Sequence, residues 1–242
     1  MRLTLITPYR NRPNHLSNQL AWWSQYAFKQ EIEWILVEVT PEPSGALQQT
    51  LQDYQVGYLH LPCAGPFHKT KALNLGLAQA RGDLIAAFDV DLIPIGQTLE
   101  QHCRLAEQSP HFLVTGYRLM AQTETVALST LDASLLQATL GPEDQPTALH
   151  KQLLKGERFG VMPLFEHQTI LDLGGWDETF MGWGAEDQDL IERYLALGKT
   201  FCRCPQLRYL HLKHGGTADW NSPRLTQQNR QHYYDKRQRN IL

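Results

Sequence analysis

Apolar and polar positions follow two different periods along the first hundred residues. Continuous apolar runs, which predict buried strands, occupy residues 3–7, 33–39, 56–61 and 84–90. Segments with apolar residues at helical spacing separate these runs, at residues 13–28, 46–54 and 69–80. Strands that alternate with helices indicate an α/β fold, Rossmann-like, with a mostly parallel sheet and helices on both faces.

The second half of the chain is less regular. Periodicity predicts helices at residues 97–107, 129–139, 166–173 and 185–197, and strands near residues 111–117, 159–165 and 200–211. Residues 140–148 are rich in Gly, Pro and small polar residues and predict a surface loop. No repeat or linker-like composition interrupts the chain, so we expect a single domain, residues 1–242, with two lobes.

Composition and charge exclude some classes of protein. The formal net charge is −3, so no electrostatic footprint suggests nucleic acid. The four cysteines are scattered, which predicts reduced thiols. Pro8 and Arg10 interrupt any signal-peptide core, and no apolar stretch approaches the ~20 residues that span a bilayer. We therefore expect a cytoplasmic protein without a transmembrane segment. Its basic end, residues 231–240, predicts either a solvated helix or peripheral contact with acidic lipid.

The segment FDVDLIP, residues 88–94, places two carboxylates at the end of an apolar run. In an extended strand, Asp89 and Asp91 would point the same way and repel each other. They either lie in open water at a turn or face a cation. Ligands of open parallel sheets bind beyond the carboxyl ends of the strands, where Pro8 and Arg10 also fall. This placement favours a binding site.

A second unusual segment, residues 173–198, places Trp176 and Trp183 among four glycines and then begins a predicted helix with acids. The helix dipole explains one or two acids at this end, and Asp189 is adequately explained as a capping residue. The helix dipole does not explain two tryptophans among four glycines immediately before these acids. An indole stacks on a sugar ring, and the carboxylates of Glu186 and Asp187 accept hydrogen bonds from hydroxyls. One of these acids can also act as a general base.

Five segments in order resemble the β-1,4-galactosyltransferases and related members of the GT-A glycosyltransferase fold. They are TPYRNRPNHL (7–16), FHKTKALNLG (67–76), FDVDLIP (88–94), GGWDETFMGWGAEDQDL (174–190) and RYLHLKH (208–214). The resemblance implies the GT-A fold, with a nucleotide-binding lobe to about residue 95 and an acceptor and catalytic lobe over about residues 96–215. Residues 216–242 would form a C-terminal tail.

The resemblance also implies a metal-dependent, inverting glycosyltransferase. Such an enzyme moves a sugar, here of galactose type, from a UDP-sugar to a hydroxyl of a glycan or glycolipid. The implied cofactor is Mn²⁺, with Mg²⁺ tolerated. Two other functions stay open: a catalytically silent sugar-nucleotide binder and a nucleotidyltransferase. Asp187 argues against the binder, which has no need of a base, and the lack of glycine in TPYRNRPN argues against the nucleotidyltransferase.

Site residues are carried over position by position. The residues implied for the donor are Pro8, Arg10 and Arg12 at the nucleotide and diphosphate, Phe67 on the base, Lys69 near the diphosphate and Asp89 at the ribose or metal shell. Trp183 and Glu186 would line the sugars, and Asp187 would be the catalytic base. The plainer interpretation of Lys71 is the polar start of an amphipathic helix.

Three positions depart from the family pattern. Ala185 stands where the family has a second glycine, which would narrow the pocket. Arg158 replaces an aromatic residue and suits either an acidic-sugar pocket or a surface salt bridge. The third departure concerns the metal, whose implied ligands are Asp91, His214 and a residue three positions earlier. That residue is Met in the vertebrate enzymes and His211 here. Because residues three apart in a strand face opposite ways, both histidines can bind only if the chain turns; otherwise His214 is the only histidine ligand.

Overall fold

The computed structural model describes residues 2–27, 31–127, 138–215 and 222–240. Its first sheet contains β1 (Leu3–Tyr9), β2 (Ile32–Thr40), β3 (Gly57–Pro62), β4 (Leu84–Ala87) and β8 (Phe165–Glu166). The spatial order is β3-β2-β1-β4-β8, and only β8 runs antiparallel to its neighbour. Every residue of β1 is buried, as expected for a central parallel strand that is covered on both faces.

Helices cover both faces of this sheet. On β2, Trp34 and Leu36 join one apolar cluster, whereas Ile35 and Val37 join the other, because side chains alternate along a strand. The first cluster is completed by α1 (Pro13–Gln25) and α2 (Gly45–Asp53), and the second by α3 (Lys69–Leu77). The predicted Rossmann-like arrangement is confirmed.

Within the described residues, a second sheet has four strands. Its strands are β5 (Leu92–Pro94), β9 (Thr200–His211), β6 (Phe112–Met120) and β7 (Thr139–Leu140), in that spatial order. The strand predicted at residues 84–90 ends at Ala87, so the chain crosses between the two sheets through Asp89 and Asp91. The amide of Leu92 donates to the carbonyl of Asp89 at 3.0 Å and closes a turn there.

Predictions for the middle of the chain need correction. The strand expected at residues 159–165 is reduced to Phe165–Glu166 and a single pairing of Val161 with Gly116. Met162 has a φ of 51°, which no strand accommodates, and Pro163 lacks an amide to donate.

The expected loop at residues 140–148 instead contains a 3₁₀ turn, Pro142–Asp144, and the start of α5 (Pro146–Leu154). Pro146 suits a first helical turn because its fixed φ is already helical. The helix predicted at residues 129–139 falls almost entirely outside the described residues.

The remaining helices are α4 (Thr98–Gln108), α6 (His167–Asp172), α7 (Glu186–Leu195) and α8 (Pro223–Asn240). The C-terminal helix α8 is not a solvated tail, because Asn229 and Tyr233 are buried against the rest of the protein. Lys236 also pairs with Asp177 and Asp189. Among the described helices, none combines the length and the apolar character needed to cross a bilayer. All four cysteines carry free thiols, as predicted.

A buried histidine fastens α4 to the second sheet. His102 Nδ1 lies 2.7 Å from the Tyr209 hydroxyl on β9, and Nε2 lies 2.9 Å from the Val114 carbonyl oxygen on β6. A neutral imidazole satisfies both contacts, because Nε2–H donates to the carbonyl and Nδ1 accepts from the hydroxyl. Burial lowers the pKa of His102 to about 4.

The lowered pKa of His102 predicts that the folded protein loses stability in mild acid. Its pKa is about 4 in the folded chain and about 6.5 when unfolded, so the unfolded chain binds more protons between these values. The contribution of neutral His102 to the free energy of unfolding is complete above pH ~6.5. About 2 kcal/mol of this contribution is lost between pH 7 and pH 5. Urea unfolding at the two pH values measures this change. His102→Gln should flatten the dependence in this window, and an unchanged slope in that variant would contradict the assignment.

Candidate active site

The carboxyl ends of β1, β2 and β3 are joined by Arg10. Its guanidinium donates to the backbone carbonyls of Val39, Gly65 and Cys63. The resemblance implies that Arg10 holds the nucleotide and diphosphate, but here its donors are directed at backbone carbonyls and connect the ends of these strands. Pro8 is buried at the end of β1.

The predicted role of Phe67 needs correction. The ring has no exposed surface and packs in the second apolar cluster, beside Val39 and Leu73. The Arg10 guanidinium lies over it, 5.5 Å from the ring centroid. A ring enclosed in this way is a core residue, so the expected packing against a nucleotide base does not fit this arrangement.

The centre of the site is the ammonium group of Lys69, in the first turn of α3. Lys69 Nζ lies 3.2 Å from Asp89 Oδ1, 3.1 Å from Glu186 Oε1 and 3.0 Å from Asp187 Oδ2. Its side chain is only 7% exposed. Burial acts to lower the pKa of Lys69, but attraction by the three carboxylates outweighs it and raises that pKa well above its ordinary value. One buried cation therefore joins the FDVDLIP segment to the start of α7.

The three carboxylates around Lys69 differ in environment. Burial raises the pKa of Glu186, although Lys69 acts in the opposite direction. For Asp89, burial acts to raise the pKa, but attraction by Lys69 and Arg118 lowers it overall. The side chain of Asp187 is 40% exposed, against 5% for Glu186. Asp187 is thus the acid of this pair that a substrate can reach.

Left-handed backbone presents Trp183 to solvent. Gly182, Gly184 and Ala185 have φ values of 72°, 117° and 70°. Trp183 is 55% exposed as a result. Asn229 of α8 supports this loop by donating to the carbonyl of Trp183 at 3.2 Å. Ala185 replaces a family glycine at a position where a side chain costs roughly 1–2 kcal/mol, so this departure adds strain as well as bulk.

The structure brings Asp91, His211 and His214 together. Their ligand atoms all lie within 4.8 Å of one another. Asp91 Oδ1 lies 3.4 Å from His211 Nε2, and Asp91 Oδ2 lies 3.3 Å from His214 Nε2. Arg12 Nη1 lies 3.9 Å from Asp91 Oδ2, at the same corner of the site. Both histidines can face one carboxylate because the strand β9 ends at His211 and the chain turns there. The amide of Leu212 donates a hydrogen bond to the carbonyl of Asp91 at 2.8 Å.

This cluster suits a divalent cation. Among the described residues, Asp91 Oδ1 and His211 Nδ1 are buried without a hydrogen-bond partner. Buried polar atoms are normally satisfied, so a bound ion that orients these side chains fits the site. The turn that aligns the histidines begins directly after His211, so the condition for two histidine ligands is met. Asp89 stands outside the cluster, so the two aspartates do not point the same way as a continuous strand would require.

Arg158 does not take either of its predicted roles. Its guanidinium donates to the backbone carbonyls of Gln152 and Glu157, at 2.9 and 3.2 Å. The side chain therefore ties the end of α5 to the following segment. Its neighbours Glu157 and Phe159 line the adjacent cavity instead.

A cavity of about 360 Å³ opens beside Asp187. Trp183, Glu186 and Asp187 form one wall, as predicted from the sequence. Another wall of the cavity is formed by Glu157 together with Tyr233 and Tyr234 of α8, which the sequence did not indicate as site residues. The only signal in the sequence was a pair of adjacent tyrosines in an otherwise polar terminal segment.

Comparison with known proteins agrees with this geometry. A family model described as glycosyl transferase family 2 matches residues 6–157, and one described as the N-terminal domain of galactosyltransferase matches residues 148–215. Human beta-1,4-galactosyltransferase 1 is 23% identical over 206 residues, which cover 84% of this chain and 39% of the relative. The chain therefore spans about two fifths of the length of this curated relative.

Solved structures share the fold at low identity. S. aureus TarS 1–349 in complex with UDP-GlcNAc matches with a TM-score of 0.65 and 14% identity, over 92% of this chain and 61% of that TarS chain. The mannosyltransferase PcManGT from Pyrobaculum calidifontis, in complex with GDP-Man and Mn²⁺, matches with a TM-score of 0.58 and 16% identity, over 87% and 56%. These likenesses confirm the predicted GT-A fold.

The three-ligand cluster predicts metal binding that can be measured directly. Calorimetric titration of Mn²⁺ should show one site, and His211→Ala should weaken binding about tenfold or more because one ligand of three is lost. His60→Ala, on β3 and outside the cluster, is the matched control. Unchanged Mn²⁺ affinity in His211→Ala would leave His214 as the only histidine ligand.

The ion pairs of Lys69 predict that its replacement by a neutral residue strongly lowers the free energy of unfolding. Lys69→Met leaves the buried carboxylate of Glu186 and two partly exposed carboxylates without their cation, and removal of one partner of a buried pair typically costs about 3–5 kcal/mol. Lys71→Met, which changes an exposed lysine two residues along α3, should stay within about 0.5 kcal/mol. Urea unfolding at neutral pH compares the two variants. Equal effects would show that the carboxylates do not depend on Lys69.

Proposed function

The chain belongs to glycosyl transferase family 2, and we propose that it transfers a sugar from a UDP-sugar to a hydroxyl of a glycan or glycolipid. The observation that carries this proposal is the contact of Lys69 with both Asp89 and Asp187. It joins the segment expected to hold the sugar nucleotide to the segment that carries the candidate base. A donor and an acceptor placed on either side of this ion pair would meet in one site.

Asp187 has the chemistry of the catalytic base. A sugar hydroxyl is a weak nucleophile and gains from a carboxylate within hydrogen-bond reach. Asp187 lines the cavity and is partly exposed, whereas Glu186 is buried and Asp89, which is also partly exposed, does not line this cavity. The acceptor hydroxyl would donate its proton to Asp187 Oδ and attack the anomeric carbon on the face opposite the diphosphate, with inversion.

The leaving diphosphate needs positive charge. Asp91, His211 and His214 would hold a divalent ion, which when bound neutralises developing negative charge on that group. Arg12, beside Asp91, lies where it can contribute a guanidinium to the same anion. Imidazole ligands suit first-row transition metals, so we expect Mn²⁺ to be preferred, with Mg²⁺ tolerated through the carboxylate.

The proposed donor is a UDP-sugar, of galactose type. Support comes from the five ordered segments that resemble the galactosyltransferases, and from the likeness to TarS in its UDP-GlcNAc complex. The likeness to a mannosyltransferase in a GDP-Man complex makes GDP-mannose the natural comparison. A thermal-shift panel of UDP-galactose, UDP-glucose, UDP-GlcNAc and GDP-mannose with Mn²⁺ distinguishes these donors. A ligand at a hundred times its Kd adds about 2.7 kcal/mol, enough to shift melting visibly.

Asp187→Asn should keep donor binding and lose transfer, because it removes the proton acceptor while Lys69 keeps Asp89 and Glu186 as ion-pair partners. General-base catalysis is typically worth about 10²–10⁴-fold, so kcat should fall by that range. Calorimetry with UDP and Mn²⁺ should give an affinity close to that of the wild type. Asp53→Asn, an exposed aspartate at the end of α2, is the control. Transfer by Asp187→Asn at the wild-type rate would refute the base assignment.

A further inference from the structure

Glu157 is a buried carboxylate that the proposed reaction leaves unused. Its residue is only 2% exposed, and it lines the same cavity as Asp187. Glu157 Oε1 accepts a hydrogen bond from the Tyr234 hydroxyl at 2.6 Å, and Oε2 accepts one from Gln188 Nε2 at 3.4 Å. Across the described ranges of the chain, no lysine, arginine or histidine forms an ion pair with this carboxylate.

Three other buried carboxylates have a cationic partner, whereas Glu38 resembles Glu157: it accepts a hydrogen bond from a tyrosine hydroxyl at 2.6 Å and has no ion pair in the described part of the chain. Glu33, Glu186 and Asp189 each face a lysine or an arginine. A carboxylate can accept about four hydrogen bonds, and a buried one that lacks a cation needs them. Glu157 has two protein donors, one of them at a long distance, and its remaining capacity is available to a ligand in the cavity. Sugar hydroxyls are neutral donors of the required kind.

A hydrogen bond from Gln188 links Glu157 to the segment that carries the candidate base. Gln188, which touches Glu157, directly follows Asp187 at the start of α7. Trp183 contributes the exposed indole of the same cavity. A sugar ring against this indole can therefore present one hydroxyl to Asp187 and a different hydroxyl to Glu157.

Tyr234 fixes Glu157 from α8. The hydrogen bond is short, and burial together with this bond raises the pKa of the Tyr234 hydroxyl, which keeps it protonated as a donor. Helix α8 lies outside the residues matched by both family models, which end at residues 157 and 215. Tyr234 therefore belongs to a segment that neither family model describes, whereas Glu157 lies within both matches.

We propose that Glu157 is a specificity-determining residue that accepts a hydrogen bond from a second hydroxyl of the acceptor sugar, with Tyr234 as its positioning residue. This inference rests on the proposed function, because the first hydroxyl is the one that faces Asp187. It identifies the acceptor as a sugar with at least two free hydroxyls, bound in the cavity between α7 and α8.

Glu157→Gln tests the proposal with the shape of the side chain retained. The acceptor probes are the methyl glycosides of glucose, galactose, xylose and N-acetylglucosamine, with the best donor and Mn²⁺. For the best glycoside, Glu157→Gln should raise the acceptor KM about 10- to 100-fold, as expected for a lost hydrogen bond to a charged group. UDP affinity, donor hydrolysis and Tm should stay near the wild-type values. Glu107→Gln, an exposed residue of α4, is the matched control.

The monodeoxy analogues of that glycoside separate recognition from structure. In the wild type, removal of the hydroxyl that meets Glu157 should raise KM about tenfold, and in Glu157→Gln the same removal should have almost no further effect. Tyr234→Phe should give an intermediate KM with the same analogue dependence. Identical deoxy profiles in wild type and Glu157→Gln would overturn the proposal.

The outcomes also distinguish this inference from the proposed function. A wild-type protein that hydrolyses the donor but transfers to none of the glycosides would overturn the assignment of a sugar to this cavity. A protein that neither binds nor turns over any sugar nucleotide would instead refute the proposed function itself. A Tm that falls in Glu157→Gln with unchanged acceptor KM would reduce Glu157 to an anchor for α8.

Discussion

The buried ammonium of Lys69 is the interaction on which the arrangement of the site depends. Its three carboxylate partners come from two segments, one around residue 89 and one at the start of α7. Without a cation, acids this close would repel one another, and burial of Glu186 would be unfavourable. With Lys69 between them, the crossing between the sheets and the start of α7 are held together. This charge pairing leaves Asp187, the most exposed of the acids at α7, facing the cavity.

A second constraint operates where the chain passes between the two sheets. Because β4 ends at Ala87 and β5 begins at Leu92, the two aspartates lie on a turn and face different partners. Asp89 faces Lys69, whereas Asp91 faces the two histidines at the end of β9. The turn therefore divides two like charges between two centres. One centre suits the base and the other suits a divalent ion.

The C-terminal helix contributes to the wall of the cavity beside Asp187. Asn229 supports the Trp183 loop, and Tyr234 holds the carboxylate of Glu157 at the cavity wall. Ion pairs between Lys236 and the acids Asp177 and Asp189 dock this helix against the rest of the protein. Helix α8 lies beyond the residues that the family models match, whereas Glu157 lies within them.

The sequence by itself determined the alternating strands and helices of the first half, because apolar runs and helical spacing are local properties. It also determined the family, since five short segments carry the resemblance. Only the tertiary structure decided that Phe67 lies in the core, that Arg158 binds backbone carbonyls and that Glu157 lines the cavity. These outcomes depend on contacts between segments far apart in the chain, such as residue 157 with residue 234. Periodicity contains no information on such contacts, because packing and charge pairing across the whole fold select them.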